Sequence, residues 1–293
     1  MKRRDFLGYL LASASGLPSL GYSQTNQQPL KLGIFPRRGI KRSYKLFNPM
    51  ANYLSEQLGR TVVFETAKSF ESFWQQIKQR RYDIVHFNQY HYIVSHNHHG
   101  YDVFATNKEL GVNSISGSII VRKDSGINTI EDLKGKTILF GGGKRAMQSY
   151  ISATWLLRQA GLQAWDYTEK FALNPPNTII STYFKRSDAS GSGDSVMKLD
   201  NVRERIDISQ LKFLAKTAPM AHLPWAIKSS LATDTKQAIQ SILVNLHRTE
   251  AGREILKIAN LDALLPATDS DFNAHRKIIT DIYGKDYGIN ILN

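Results

Sequence analysis

Cysteine is absent from all 293 residues. That absence excludes a disulfide scaffold, a thiolate metal site, a cysteine nucleophile and an N-terminal lipid-bearing cysteine. Acid is scarce: 25 Asp and Glu stand against 38 Lys and Arg, for a formal charge of +13. The bases are scattered and no RNP or zinc-finger signature accompanies them, so nucleic acid is not an expected partner; a field of this sign favours an anionic small molecule instead. Long apolar runs are also missing, since no internal segment approaches the ~20 residues that a membrane helix needs. Catalytic signatures are lacking too, with no G-x-S-x-G elbow and no H-E-x-x-H. Gly141-Gly142-Gly143-Lys144 has neither the Walker spacing nor the hydroxyl that should follow it. No enzyme, no cofactor and no metal site is expected. Five histidines (His86, His91, His96, His98, His99) crowd one segment, but His91 and His98 are a heptad apart, His96 points elsewhere, and no carboxylate lies among residues 89–99.

The N-terminus is built differently from the rest. Lys2-Arg3-Arg4-Asp5-Phe6-Leu7 is a basic start with twin arginines, followed by an apolar stretch over residues 8–20 and small residues at Gly21 and Ser23. This is the pattern of an export signal, close to a twin-arginine address, with cleavage near Ser23 and Gln24 first in the mature chain. Removing residues 1–23 takes three cations and one anion and leaves +11. Residues 24–29 read as a polar, flexible leader. An exported, cysteine-free chain of this size points to the periplasm.

Residues 118–162 carry the most information. The apolar run Ile119-Ile120-Val121 is followed by a turn at Asp124-Ser125-Gly126 and a short capped helix with Thr129 and Asp132 three apart. A second buried strand over 137–140 leads into three glycines and another helix. Strand, glycine turn and helix aim backbone N–H groups and a helix dipole at an anion. Gly142, Gly143, Lys144, Arg145, Gln148, Ser149 and Tyr150 stand at that turn and are candidate ligand-binding residues.

Along the chain the order begins β-α-β-α-β-α. Strands are predicted at 30–35, 61–65 and 82–87, and helices at 44–58, 69–80 and 89–99. Residues 37–43, with Arg37, Arg38, Lys41 and Arg42, are predicted to be a loop. After residue 162 the pattern predicts a helix at 179–184, a turn at 188–194, strands at 211–214 and 226–228, and helices at 235–247, 251–258 and 271–283. This alternation predicts an α/β fold with a mostly parallel sheet. Ligands of such sheets bind beyond the carboxyl ends of the strands. The loops placed there are 35–43, 87–92, 140–150 and 187–194.

Several motifs then agree. They are Phe47-x-Pro49-Met50-Ala51-x-Tyr53-Leu54, Tyr82-Asp83-Ile84-Val85, Val121-Arg122-Lys123-Asp124-Ser125-Gly126-Ile127, Asp132-Leu133-Lys134-Gly135-Lys136, Ser187-Asp188-Ala189 and Pro219…His222-x-Pro224-Trp225. With them the chain resembles the periplasmic substrate-binding proteins of the phosphonate, phosphite and phosphate family, over essentially all of its mature length. The resemblance implies a type II periplasmic binding protein fold, two α/β lobes joined by two hinge crossovers. Lobe 1 would span 30–118 plus 226–293 and lobe 2 would span 119–225. It implies a monomer that holds a small oxyanion between the lobes and delivers it to an ABC permease. A sensor kinase as the partner, or a periplasmic enzyme, are the alternatives. Tyr44 and Tyr92 match family positions facing the cleft, and Asp188 the position of a ligand-pairing carboxylate. The family's Ser-Thr-Ser-Gly ligand turn is replaced by residues 143–149. Asn88-Gln89 stands in place of a Gly-Pro, and Asn174-Pro175-Pro176-Asn177 in place of a His-Asp pair.

Overall fold

The computed structural model describes residues 28–36 and 38–289. The expected export signal, most of the leader and Arg37 lie outside the described residues. Among the described residues no helix is long and apolar enough to cross a membrane.

The chain runs β1 (Leu30–Ile34), α1 (Ile40–Leu58), β2 (Val62–Thr66), α2 (Phe70–Lys78), β3 (Ile84–His86), α3 (Gln89–His99), β4 (Tyr101–Lys108), β5 (Ser114–Ile115) and β6 (Gly117–Arg122). It continues through β7 (Thr137–Gly141), α4 (Ser152–Gln159), β8 (Thr168–Ala172), α5 (Pro175–Tyr183), β9 (Ala189–Gly193), α6 (Asp200–Arg203), β10 (Leu211–Lys216) and β11 (Met220–Ala221). The last part holds β12 (Pro224–Lys228), α7 (Thr233–Val244), α8 (Glu250–Ala259), β13 (Ala263–Pro266) and α9 (Asn273–Tyr283).

Two mixed sheets result. One has the order β13-β4-β12-β3-β1-β2 and the other β10-β6-β9-β7-β8. β1 runs parallel to β2 and β3, and β7 parallel to β8 and β9, whereas β12, β13, β6 and β10 each pair antiparallel. The chain passes between the sheets twice, and the two passages pair briefly as β5 and β11, with Met220 opposite Ile115. This is the two-lobed α/β arrangement with two crossovers.

Local chemistry explains most elements. α1 buries Leu46, Phe47, Met50, Ala51 and Leu54 on one face, the i, i+4, i+8 spacing of a helix on a sheet, and stops at Gly59 in the left-handed region. α2 opens with a reciprocal Ser69/Ser72 box. Asp132 Oδ2 accepts from the amides of Asn128 and Thr129, the acidic half of the predicted cap, but the element is a single 3-10 turn after Ile130 with no side-chain cap of its own.

Several predictions required correction. The sheets are mixed and not mostly parallel, because β4, β6, β10, β12 and β13 pair antiparallel. Lys41, Arg42 and Ser43 belong to the first turns of α1 rather than a loop, because the helix starts at Ile40 after an extended Gly39. Residues 189–193 are not a turn. They form β9, buried along its whole length between β6 and β7.

Candidate functional site

The six strands β1, β3, β4, β7, β8 and β9 all point their carboxyl ends at one place, as open α/β sheets do with their ligand crevices. There lies a cavity of about 740 Å³, within the range that suits small organic ligands. Its walls come from both sheets: Phe35, Asn88 and Gln89 follow β1 and β3, while Gly141, Gly142, Asn174 and Gly193 follow β7, β8 and β9. The crossovers contribute Ile115, His222 and Leu223.

The depth of the cavity is polar, and the buried carboxylate that lines it, Glu109, is paired with Arg38. Gln89, His222, Ser149, Asn88 and Gln148 line it and are all buried. His222 accepts the Leu223 amide at Nδ1, 2.8 Å away, so in its neutral form the ring proton sits on Nε2. Further charges stand at the exposed rim, where Arg42, Arg253 and Lys257 come from α1 and α8, and Asp200 and Asp262 oppose them. Arg38 is paired with Glu109 at 3.8 Å.

On the second lobe, the chain leaves β7 through Gly142 and Gly143, with φ of +83° and +82°, a conformation that only glycine holds without cost. The turn closes with Ala146 N–H donating to Gly143 O. A π-turn over Met147–Ile151 then runs directly into α4. Amides in the first turn of a helix have no partner within it, and Ala146, Met147, Gln148 and Ser149 place that start on the cavity wall. Oriented amides and the positive end of the helix dipole therefore face the cavity.

The predicted site residues divide. Gly142, Gln148 and Ser149 line the cavity. Ser149 Oγ is already committed, accepting from Gly141 N–H and donating to Gly191 O, each at 2.6 Å, so it braces the turn. Gly143 is not in the wall but supplies the second left-handed step of the turn. Lys144 is half-exposed and turned outward, with Nζ 3.6 Å from Glu169. Arg145 reaches away from the cavity to Glu71 at the start of α2, 2.9 Å away, with its guanidinium over the Trp74 ring. Tyr150 is buried and donates to Glu169 at 2.7 Å.

The remaining three lie elsewhere. Tyr44 is 54% exposed and packs edge-on to Phe64. Tyr92 is fully buried against Phe272 and donates to Asp269 at 2.6 Å; burial, together with that carboxylate, pushes its phenol well above its ordinary value. Asp188 sits at the opposite, amino-terminal end of β7, where its carboxylate accepts the Thr137 amide at 2.8 Å. None of these three lies on the cavity wall.

Sequence reasoning missed Gln89, His222, Asn174 and the α8 face as wall residues. Asn88 and Gln89 were visible only as a departure from the family's Gly-Pro. Asn88 Oδ1 caps α3 by accepting from His91 N–H, while its Nδ2 donates to Arg145 O in the other lobe. Gln89, the first residue of α3, thereby turns into the cavity. Among the described residues no group of His, Asp or Glu is arranged to hold a metal ion.

The architecture has many counterparts among solved structures. A binding protein component of an ABC phosphonate transporter from Pseudomonas aeruginosa superposes with a TM-score of 0.75 at 15% identity, over 89% of this chain and 90% of that one. PhnD1 from Prochlorococcus marinus, in complex with methylphosphonate, gives 0.75 at 19% identity, over 87% and 98%. A Xanthomonas citri protein bound to ATP gives 0.74 at 13% identity, over 86% and 96%. These likenesses establish the fold. The family model described as the periplasmic substrate-binding protein of the phosphonate ABC transporter matches residues 32–272, a span that takes in both sheets, both crossovers and the cavity walls. The chain is accordingly a member of that periplasmic phosphonate substrate-binding family.

Proposed function

We propose that the protein is the exported, ligand-capturing component of an ABC importer and that it holds a phosphonate-type oxyanion in the interlobe cavity. The observation that carries this reading is the meeting of a helix start with a buried polar floor at the carboxyl ends of six strands. Amides of the Met147–Ser149 turn, the Gln148 carboxamide and the His222 ring are the donors for the anion's oxygens. Fixed dipoles of this kind stabilise a buried anion without the desolvation cost of a partner charge. The size of the cavity and its apolar walls, among them Phe35, Phe70, Ile115, Met147 and Leu223, leave room for an organic substituent on phosphorus. The methylphosphonate complex of the Prochlorococcus marinus relative supports the same ligand class. In this reading lobe 1 spans 30–118 plus 226–293 and lobe 2 spans 119–225. The lobes close about β5 and β11, and a periplasmic monomer presents the closed form to its permease.

A thermal-shift panel of phosphate, phosphite, alkylphosphonates, sulfonates and neutral sugars tests this. A ligand at a hundred times its Kd adds ~2.7 kcal/mol of stability, a shift of several degrees. Selective stabilisation by phosphorus oxyanions is the expected outcome. A flat response to every phosphorus compound, or a response to sugars alone, overturns the reading.

A further inference from the structure

Gln89 is fully buried at the first position of α3 and lines the cavity. Its amide has a defined sense: Nε2 donates to the Ala221 carbonyl of the crossover strand at 3.3 Å. The other end of the carboxamide, Oε1, meets no donor from the protein. A buried acceptor that is left unpaired is costly, so what enters the cavity has to bring a hydrogen to it.

We infer that Gln89 is a specificity-determining residue that selects a protonated oxyanion, one still carrying an acidic hydroxyl on phosphorus, over an isosteric oxyanion that has none. This rests on the reading that the cavity binds an oxyanion, and it names which ionic form is taken. The wall around Gln89 otherwise offers donors, from the helix-start amides, Gln148 and His222. These serve phosphonate and sulfonate oxygens alike. Only the acceptor tells the two apart: a hydrogen phosphonate satisfies Oε1, whereas a sulfonate turns a lone pair toward a lone pair. An ammonium donor fits less well, because the buried carboxylate on the wall, Glu109, is already engaged by Arg38 and Asn107.

The experiment is a titration of the full chain with methylphosphonate and with methanesulfonate, at a pH where the phosphonate retains one proton. The phosphonate is expected to bind on the order of tenfold to a hundredfold more tightly. In Gln89→Leu the acceptor is gone and the ratio should fall toward one. In Gln89→Glu the acceptor remains while the bond to Ala221 is lost, so the preference should survive. That second variant separates the acceptor's role from the carboxamide's structural one and stands by itself if the leucine variant does not fold. Equal binding of the two ligands by the unmodified protein overturns the inference and leaves the proposed function intact. Discrimination that persists in Gln89→Leu, or vanishes in Gln89→Glu, overturns it too. Failure of both ligands to bind overturns the inference and the oxyanion reading together.

Discussion

His91 is enclosed by the rings of Phe70, Phe73, Trp74 and Tyr90, and His275 lies against Phe272 with its Nε2 3.2 Å from the Gln148 amide nitrogen. Burial pushes both imidazoles down to about 3, with Arg145 adding to the effect on His91 and Arg276 and His222 to that on His275. Unfolded, each takes its proton near 6.5. Between those values the unfolded chain binds more protons, so stability rises with pH and is lost on acidification. At one unit below 6.5 each histidine costs roughly 1.4 kcal/mol. We expect the melting temperature to fall steadily from pH 6.5 to pH 5 and His91→Leu to flatten that slope; a melting curve that does not move over this range contradicts the assignment. Neither role was legible in the sequence, where His91 stood in a cluster of five histidines and His275 was not singled out. Which face of α3 is buried depends on α2 and α9 packing against it, and that is tertiary information. The same limit explains Lys144 and Arg145, whose charges suited an anion while their geometry was set by Glu169 and Glu71 on other elements.

At the scale of elements, the glycine turn after β7 is tied to the other lobe. Arg145 joins α2 through Glu71, and Asn88 at the start of α3 holds Arg145 O. Arg145 hydrogen-bonds to Glu71 and, with the neighbouring Gln75, helps hold that carboxyl below its ordinary value. Because Glu71 is exposed, the pair is worth at most ~1 kcal/mol. A double-mutant cycle with Arg145→Ala and Glu71→Ala should give a coupling energy in that range. Ligand affinity should change only through the open-closed balance, by less than about tenfold. A loss of a hundredfold or more in Arg145→Ala with Glu71→Ala unaffected would mean direct contact with ligand after all. Helices were the readable elements, since α1 follows the 3.6-residue rhythm of Leu46, Phe47, Met50 and Leu54 and α3 stops at Gly100. β9 was not, because Ala189-Ser190-Gly191-Ser192-Gly193 has no large apolar side chain. The reason is spatial: a Cβ on Gly191 would fall 2.2 Å from Ser149 O and against the Phe140 ring, so the strand is small where the site helix sits down on it. Small residues chosen for closeness look like a turn to any pattern based on hydropathy.

For the whole molecule, the surplus of bases acts at a distance. A net positive protein draws an anion toward it, and the rim cations Arg42, Arg253 and Lys257 place part of that charge at the mouth of the cavity. The charges set into the wall, Arg38 and Glu109, are paired with each other, so salt should act on arrival more than on retention. Stopped-flow association of an anionic ligand should slow as ionic strength is raised from about 0.01 to about 0.5 M, while the dissociation rate changes by less than about twofold. An association rate indifferent to salt would remove steering from the account. The fold class and the position of the cavity relative to the strands were both legible, because they follow from the order of elements and from the rule that sheets bind at their carboxyl ends. The chemistry of the floor was not, since its residues come from sites more than a hundred positions apart.

α9 follows the last strand of the six-stranded sheet in sequence, yet it packs beside α4, which covers the other sheet. Trp155 donates to Asp281, Arg158 to Ile282 O, and Tyr283 to Lys144 O. Its contact nearest the cavity, Gln148 with His275, spans 127 positions. A chain cut before Asn273 would keep the strands of both large sheets but lose the contact that supports Gln148, so it should fold around an unfinished wall.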